Sequence, residues 1–272
     1  MITVILLSIL ALSIIIFCFC FFRAFKFIKI LEEKNSFLRY KIEDQRTKIQ
    51  KKNRDYIKIQ ESVIEGMATL IEYRDVNTGN HIQNTKFYAQ LITDYLYDHN
   101  LHKDEVTPEF KDMIGNAAAM HDIGKISITD RILNKPSKLD ETERETMKTH
   151  AVIGAALVRQ IFGKSLSKEI LRLFIDTIQY HHEKWDGSGY PLGLKGDEIP
   201  LSARITAIAD VFDALVSMRV YKEKIPADEA FEMLEKSKGT HFDPELTEIF
   251  LSLKPQILKH LNMEENSPKK IA

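Results

Sequence analysis

The sequence predicts an all-α protein, and three observations carry that expectation. Apolar residues recur at three- and four-residue spacing in segments such as "MATLIEYRD", "IQNTKFYAQLITDYLYDH" and "KLDETERETMKTHAVIGAALVRQIF". No stretch shows clean two-residue alternation bounded by hairpin turns. The segment from Arg23 to Ser62 contains neither glycine nor proline and is dense in Lys, Arg, Glu and Gln. Composition fits a globular protein: of 272 residues, 44% are hydrophobic and 28% charged. The net charge of −1 gives no basis for binding polymeric nucleic acid through counterion release. The two cysteines, Cys18 and Cys20, both fall in the first apolar run, so any metal site elsewhere must use imidazole and carboxylate.

Residues 1–22 carry no charge, and their length at helical rise matches the hydrocarbon core of a bilayer. They lack the basic start and small-residue cleavage site of a signal peptide, and Arg23, Lys26 and Lys29 follow directly. The expectation is a single-pass anchor in the cytoplasmic (inner) membrane, with the remainder facing the cytoplasm. Residues 23–60 follow as a helical linker. An approximate heptad through Ile28, Leu31, Asn35, Leu38, Ile42, Ile49, Tyr56, Ile59 and Val63 predicts a parallel coiled coil and a homodimer, with Asn35 setting register. Gln45 and Lys52 interrupt the seam, so a solvated single helix is the alternative. Residues 61–257 read as the globular domain and 258–272 as a frayed tail. Within the domain, Pro108 is placed at a helix start. Asp140 or Thr142 caps another helix, and Asp243 caps a third ahead of Pro244.

The chemistry concentrates in "NAAAMHDIGKISITD", where His121 and Asp122 interrupt an apolar run and Gly124 is expected to end or bend the helix. His150, the tandem His181–His182, Asp210 and His81 occupy comparable apolar or loop-edge positions elsewhere. His99, His102 and His260 read as surface residues, and His241 is left undecided. A buried carboxylate needs a partner or a cation, since leaving it unpaired costs several kcal/mol. Histidines and aspartates gathered from different helices satisfy one another best around shared divalent cations. Two metals about 3.5–4 Å apart are the usual arrangement for phosphoester hydrolysis.

Three stretches carry a family resemblance: "HDIGKISITDRILNKPSKL", "HHEKWDGSGYPLGLKGDEIPLSARITAIADVFDALVS" and "GTHFDPEL". They resemble the HD-GYP domain, the branch of the HD phosphohydrolase superfamily that hydrolyses cyclic di-GMP, over about Glu61 to Pro255. The resemblance implies an HD-type helical bundle with additional C-terminal helices. It also implies metal ligands at His81, His121, Asp122, His150, His181, His182 and Asp210, with Asp122 bridging two divalent ions, Fe or Mn. Lys125 matches the lysine near the scissile phosphate, so Asp122 and Lys125 are the catalytic candidates. Arg219 and Lys222 match residues that hold ligand phosphates, as cations beside the metals should. The loop around Gly189, Tyr190 and Pro191 is expected at the pocket rim or on a partner surface.

Two departures stand out. Asn77 replaces a glutamate that assists a third metal in some members, which favours two metals. Val220 replaces proline in "RVYK" without removing a charge. The implied function is a membrane-anchored phosphodiesterase opening cyclic di-GMP to pGpG, with onward cleavage to GMP left open. Cyclic di-GMP signalling proteins are the expected partners. The alternatives are a non-catalytic cyclic di-GMP receptor, a phosphodiesterase for another cyclic dinucleotide, and a tethered scaffold.

Overall fold

The computed structural model describes residues 2–74, 80–217 and 225–265. The chain divides into two compact units, Met1–Gln60 and Glu61–Ala272. Among the described residues it is helical, in agreement with the expected class, and its one isolated bridge, Lys238 to Phe242, builds no sheet.

The first unit is part of α1, Ile2–Glu72, which no glycine or proline interrupts before Gly66. α1 contains one segment long and apolar enough to cross a membrane, with a mean hydropathy of 2.3 in its most apolar window. Further along, Ile28, Leu31, Leu38, Ile42 and Ile49 of the heptad stand exposed along the single helix.

In the second unit, the last turns of α1 are followed by α2 (His81–Asp98), α3 (Pro108–Ala119), α4 (Asp130–Leu133) and α5 (Glu141–Phe162). Then come α6 (Lys168–Tyr180), α7 (Leu201–Val216), α8 (Ala227–Lys236), α9 (Pro244–Ser252) and α10 (Lys254–Glu265). The starts follow local chemistry. Thr107 accepts from the Phe110 N–H ahead of Pro108, and Ser167 caps α6 in the same way. Asp140, rather than Thr142, caps α5 in a reciprocal capping box with Glu143. Asp243 accepts from the N–H groups of Glu245 and Leu246 to open α9. It also receives Arg204 of α7 at 2.7 Å, a buried ion pair between the two helices.

α7 is buried along most of its length because apolar residues cover nearly its whole circumference. It packs against α2, α6, α8 and α9, while α5 packs on α6 and α3 on both α2 and α6. Tyr88, Phe212, Phe231 and Phe250 interlock at the centre, with ring centroids 4.8–6.1 Å apart. Each such buried ring contributes about 1.5–3 kcal/mol by removal from water.

Two expectations need correcting. The boundary placed at 257/258 falls inside a helix: α10 continues to Glu265, with Leu258 and Leu261 packed against the core. The tail expected from 258 therefore does not begin there. Gly124 does not end its helix either. α3 stops at Ala119, His121 and Asp122 form the turn that follows, and Gly124 lies in a 3-10 segment, Ile123–Ser127. Its role is close approach. A Cβ on Gly124 would overlap the His150 carbonyl and come within 2.6 Å of the Gly154 nitrogen, so backbone meets backbone where the turn docks on α5.

Replacing Gly124 by alanine is expected to push the turn off α5 and to cost about 3 kcal/mol or more. Thermal unfolding of the protein should show the midpoint falling by several degrees, and an unchanged midpoint would refute the contact.

Candidate metal centre

The seven ligand candidates converge on one place, from five regions of the chain. His81 opens α2, His121 and Asp122 form the turn after α3, His150 lies within α5, His181 and His182 follow α6, and Asp210 lies in α7. They form two groups that share Asp122. One comprises Asp122, His150, His181 and His182, and the other His81, His121 and Asp122, with the donor atoms of each group within 4.8 Å of one another. Asp210 completes the second group: its Oδ1 is 3.5 Å from Nε2 of His81 and 3.7 Å from Nε2 of His121. The two oxygens of Asp122 divide accordingly. Oδ1 faces Nε2 of His150 at 3.2 Å and of His181 at 3.9 Å, while Oδ2 faces Nε2 of His121 at 3.2 Å.

Backbone carbonyls set the tautomers. Nδ1 of His121 donates to Ala118, that of His150 to Met147 and that of His181 to Ile178, at 2.7–2.8 Å, each three residues back in the chain. Nδ1 of His81 instead meets the Asp213 carboxylate at 2.6 Å. With Nδ1 engaged, Nε2 of each of these four rings points inward, where a metal ligand must.

The donor set fits two divalent cations. Nε2 of His121 and Oδ1 of Asp122, one atom in each group, are buried without a hydrogen-bond partner, which a cation in each group would supply. All-imidazole and carboxylate donors suit Fe, Mn or Zn rather than a soft metal. Without a cation the protein groups balance one another, and a metal would displace the proton that His121 holds. Burial opposes ionisation of Asp122, yet Lys125 and His121 hold its carboxyl well below the usual range. Burial likewise opposes charge on His121, but Asp122 and Asp210 carry its pKa up to about 9. Burial together with the neighbouring His121 charge pushes His181 down to about 3, so this ring stays neutral and able to donate its lone pair.

A surrounding layer, absent from the expectations, fixes these ligands. Asp213, fully buried in α7, also accepts from Nδ2 of Asn84 at 2.8 Å and from the Ser217 hydroxyl at 3.0 Å. The Asn84 oxygen meets Nε2 of His260 at 3.0 Å, and the His260 ring stacks on Phe87 at 3.9 Å. His260, read as a surface residue, thus ties α10 to the layer behind His81. A signal was present in the sequence: Asp213 is three residues after Asp210 and Asn84 three after His81, one helical face in each case.

The loop after His182 is braced in the same manner. Glu183, 2% exposed, accepts the N–H groups of Leu192, Gly193 and Leu194 at 2.7–3.1 Å. Gly189 sits where a Cβ would come within 2.6 Å of the His182 carbonyl oxygen. The loop thereby folds back so that the Tyr190 ring lies 4.7 Å from the His182 ring, with the Lys148 ammonium 5.7 Å from the Tyr190 ring centroid. His241, left undecided from sequence, is structural. Its carbonyl accepts from Trp185 at 3.1 Å, its ring stacks on Phe242 at 4.2 Å, and burial pushes its pKa down to about 4.

Lys125 reaches Oδ2 of Asp122 at 2.8 Å, which puts its ammonium at the edge of the centre. Glu72, at the end of α1, was not anticipated: burial raises it to about 7, with His81 and His121 pulling the other way. Asn77, Arg219, Val220 and Lys222 lie outside the described residues.

A helical bundle that gathers histidines and aspartates from separate helices around one shared carboxylate defines the HD class of metal-binding domain. The chain belongs to the HD domain family, whose model matches residues 86–246, and to its HD-GYP branch. A protein of Vibrio cholerae named as a probable cyclic di-GMP phosphodiesterase is 41% identical over 75% of this chain and 47% of its own length. A cyclic di-GMP phosphodiesterase of Thermotoga maritima is 43% identical over 72% of this chain and 50% of its own. A 3'3'-cGAMP-specific phosphodiesterase of Vibrio cholerae is 41% identical over 70% and 34%. The chain thus spans half or less of the length of these curated relatives. The crystal structure of a cyclic GMP-AMP specific phosphodiesterase of Vibrio cholerae superposes with a TM-score of 0.51 at 21% identity, covering 75% of this chain and 53% of that one. That likeness is one of fold.

Replacing Asp213 by asparagine should leave the protein folded but release His81 from its fixed tautomer. Manganese affinity is expected to fall about 10–100-fold, as such outer partners usually cost. Competition against a chelating dye measures this, and an unchanged affinity would show that Asp213 does not orient His81.

Proposed function

We propose that the chain is a two-metal phosphodiesterase that opens cyclic di-GMP to linear pGpG. The observation that carries this reading is the sharing of Asp122 between two groups of buried donors. Such a site suits a pair of cations bridged by one carboxylate, the arrangement used for in-line displacement at phosphorus. Iron or manganese is the proposed occupant, held by His81, His121, Asp122 and Asp210 on one side and by Asp122, His150, His181 and His182 on the other. Held by these residues, such cations would supply activation of a water and neutralisation of charge on the phosphate.

The protein's own groups supply the rest. Lys125, already at 2.8 Å from Asp122, is placed to meet a non-bridging phosphate oxygen beside the metals. Arg219 and Lys222 are proposed to hold the dianion's phosphates. Gly189, Tyr190 and Pro191 are proposed at the substrate rim, since Tyr190 already lies against the ligand His182. The curated relatives named for cyclic di-GMP support the substrate. The relative named for 3'3'-cGAMP favours a second cyclic dinucleotide, which the same centre would open by the same displacement.

We further propose a membrane anchor at the start of α1, with Arg23, Lys26 and Lys29 holding the rest of the chain on the cytoplasmic side. The exposed apolar seam supports dimerisation through a coiled coil.

The decisive experiment loads the chain with Mn(II) or anaerobic Fe(II) and follows cyclic di-GMP and 3'3'-cGAMP by chromatography. The wild type should yield linear dinucleotide, and Asp122→Ala should yield none above background. Near-normal turnover by Asp122→Ala would overturn the metal mechanism. Serine at Leu31, Leu38 and Ile42 together should convert a dimer to a monomer in detergent-solubilised sedimentation. A dimer that survives these changes would rule out the heptad seam as its interface.

A further inference from the structure

A narrow cleft opens beside the metal centre on the side of α1 and α2. Its apolar walls are Ala68, Ile71, Ile82, Ala119 and Ile123, each less than a tenth exposed. One edge of the cleft is the ligand face of His81, His121 and Asp122, with Lys125 beside it. Glu72 also lines it.

The position of Glu72 is fixed by its surroundings. Lys86 of α2 binds Glu65 of α1 at 2.7 Å. Two residues beyond Glu72, the Arg74 guanidinium donates to the carbonyls of Ile126 and Ile128 at 3.1 Å and to Asp130 at 2.8 Å, and its own carbonyl accepts from Asn134 at 2.9 Å. These contacts clamp the end of α1 over the cleft. Yet Oε1 of Glu72 is buried without a hydrogen-bond partner, and Glu72 belongs to neither group of converging metal donors. A carboxylate held in this way costs free energy unless a ligand satisfies it.

In its ionised form the Glu72 carboxylate accepts hydrogen bonds only and repels phosphate, so that form must face a donor-bearing part of the substrate away from the phosphates. The Watson–Crick edge of guanine offers two adjacent donors, N1–H and the N2 amino group. Adenine sets its N1 acceptor against a carboxylate there. Flat apolar walls take the faces of a base while a polar group reads its edge, as in other sites that bind unstacked bases. We propose that Glu72 reads the N1–H and N2 amino edge of one guanine of the bound dinucleotide from this cleft, and so sets base specificity. The inference rests on the cyclic dinucleotide reading above and adds a base contact to it.

The test compares cyclic di-GMP with its hypoxanthine counterpart, which lacks the 2-amino group, on the Mn(II)-loaded full chain and on Glu72→Gln. The wild type should prefer guanine by about 5–150-fold in kcat/KM, the range for one bidentate edge contact. Glu72→Gln should lose that preference mainly through KM, with bound manganese unchanged. A preference that survives in Glu72→Gln overturns the proposal, and so does a loss of manganese, which would make Glu72 a ligand. Should Glu72→Gln misfold, Glu72→Asp retains the charge one methylene further back and must narrow the same preference. If the wild type opens no cyclic dinucleotide, the proposed reaction falls. Calorimetric titration of the same loaded chain with GMP and IMP then decides the base contact separately: tighter GMP binding supports it and equal affinities overturn it.

Discussion

The carboxylate of Asp122 sits among imidazoles with the Lys125 ammonium at 2.8 Å, and much of the second unit is organised around placing it there. An anion at that depth is tolerable only with charge and hydrogen-bond donors on every side. The requirement explains why α3 ends early, why the turn after it runs into a 3-10 segment, and why that segment meets α5 without side chains between. Gly124 and Gly154 make the contact that brings Asp122 up to His150. Packing and chemistry are one constraint at this point, since any bulk in the contact would separate the two donor groups.

A second organising feature is how much of the ligand geometry is delegated to the main chain. His121, His150 and His181 each take their orientation from a carbonyl three residues earlier, a group that is always present and cannot be mutated away. His81, at the first position of its helix, has no such carbonyl within its own helix and relies on Asp213. The side-chain network that ends at His260 is therefore concentrated behind a ligand candidate that its own helix leaves unsupported.

Much of this was legible in the sequence, and the parts that were not have physical reasons. Helical periodicity gave the class, and the polar interruptions of apolar runs marked the seven ligand candidates that the structure brings together. His260 was misread because its neighbours in sequence are mixed, and only the packing of α10 turns the ring toward Phe87 and Asn84. Asp213 was passed over because a lone aspartate in an apolar helix next to an obvious candidate looks redundant. Glu183 hides in the same way, since its partners are backbone N–H groups of a loop nine to eleven residues ahead, which no side-chain pattern encodes. Glu72 lies at a helix end whose placement depends on the distant anchor points of Arg74.

The carbonyl contacts of the imidazoles also restrict which other residues these positions can accept. An aspartate or glutamate is an equally good donor to a hard cation, so exchange of ligand type would seem open at any of them. At His121, His150 and His181 the inward nitrogen is coupled to an outward N–H that a carbonyl oxygen demands. A carboxylate placed there would turn lone pairs toward that oxygen and leave the carbonyl without its donor. The backbone thus acts as a filter on composition, keeping the cage rich in imidazole and reserving carboxylates for Asp122 and Asp210, whose oxygens face other side chains. The net charge of the ligand shell is in this way written into the path of the main chain.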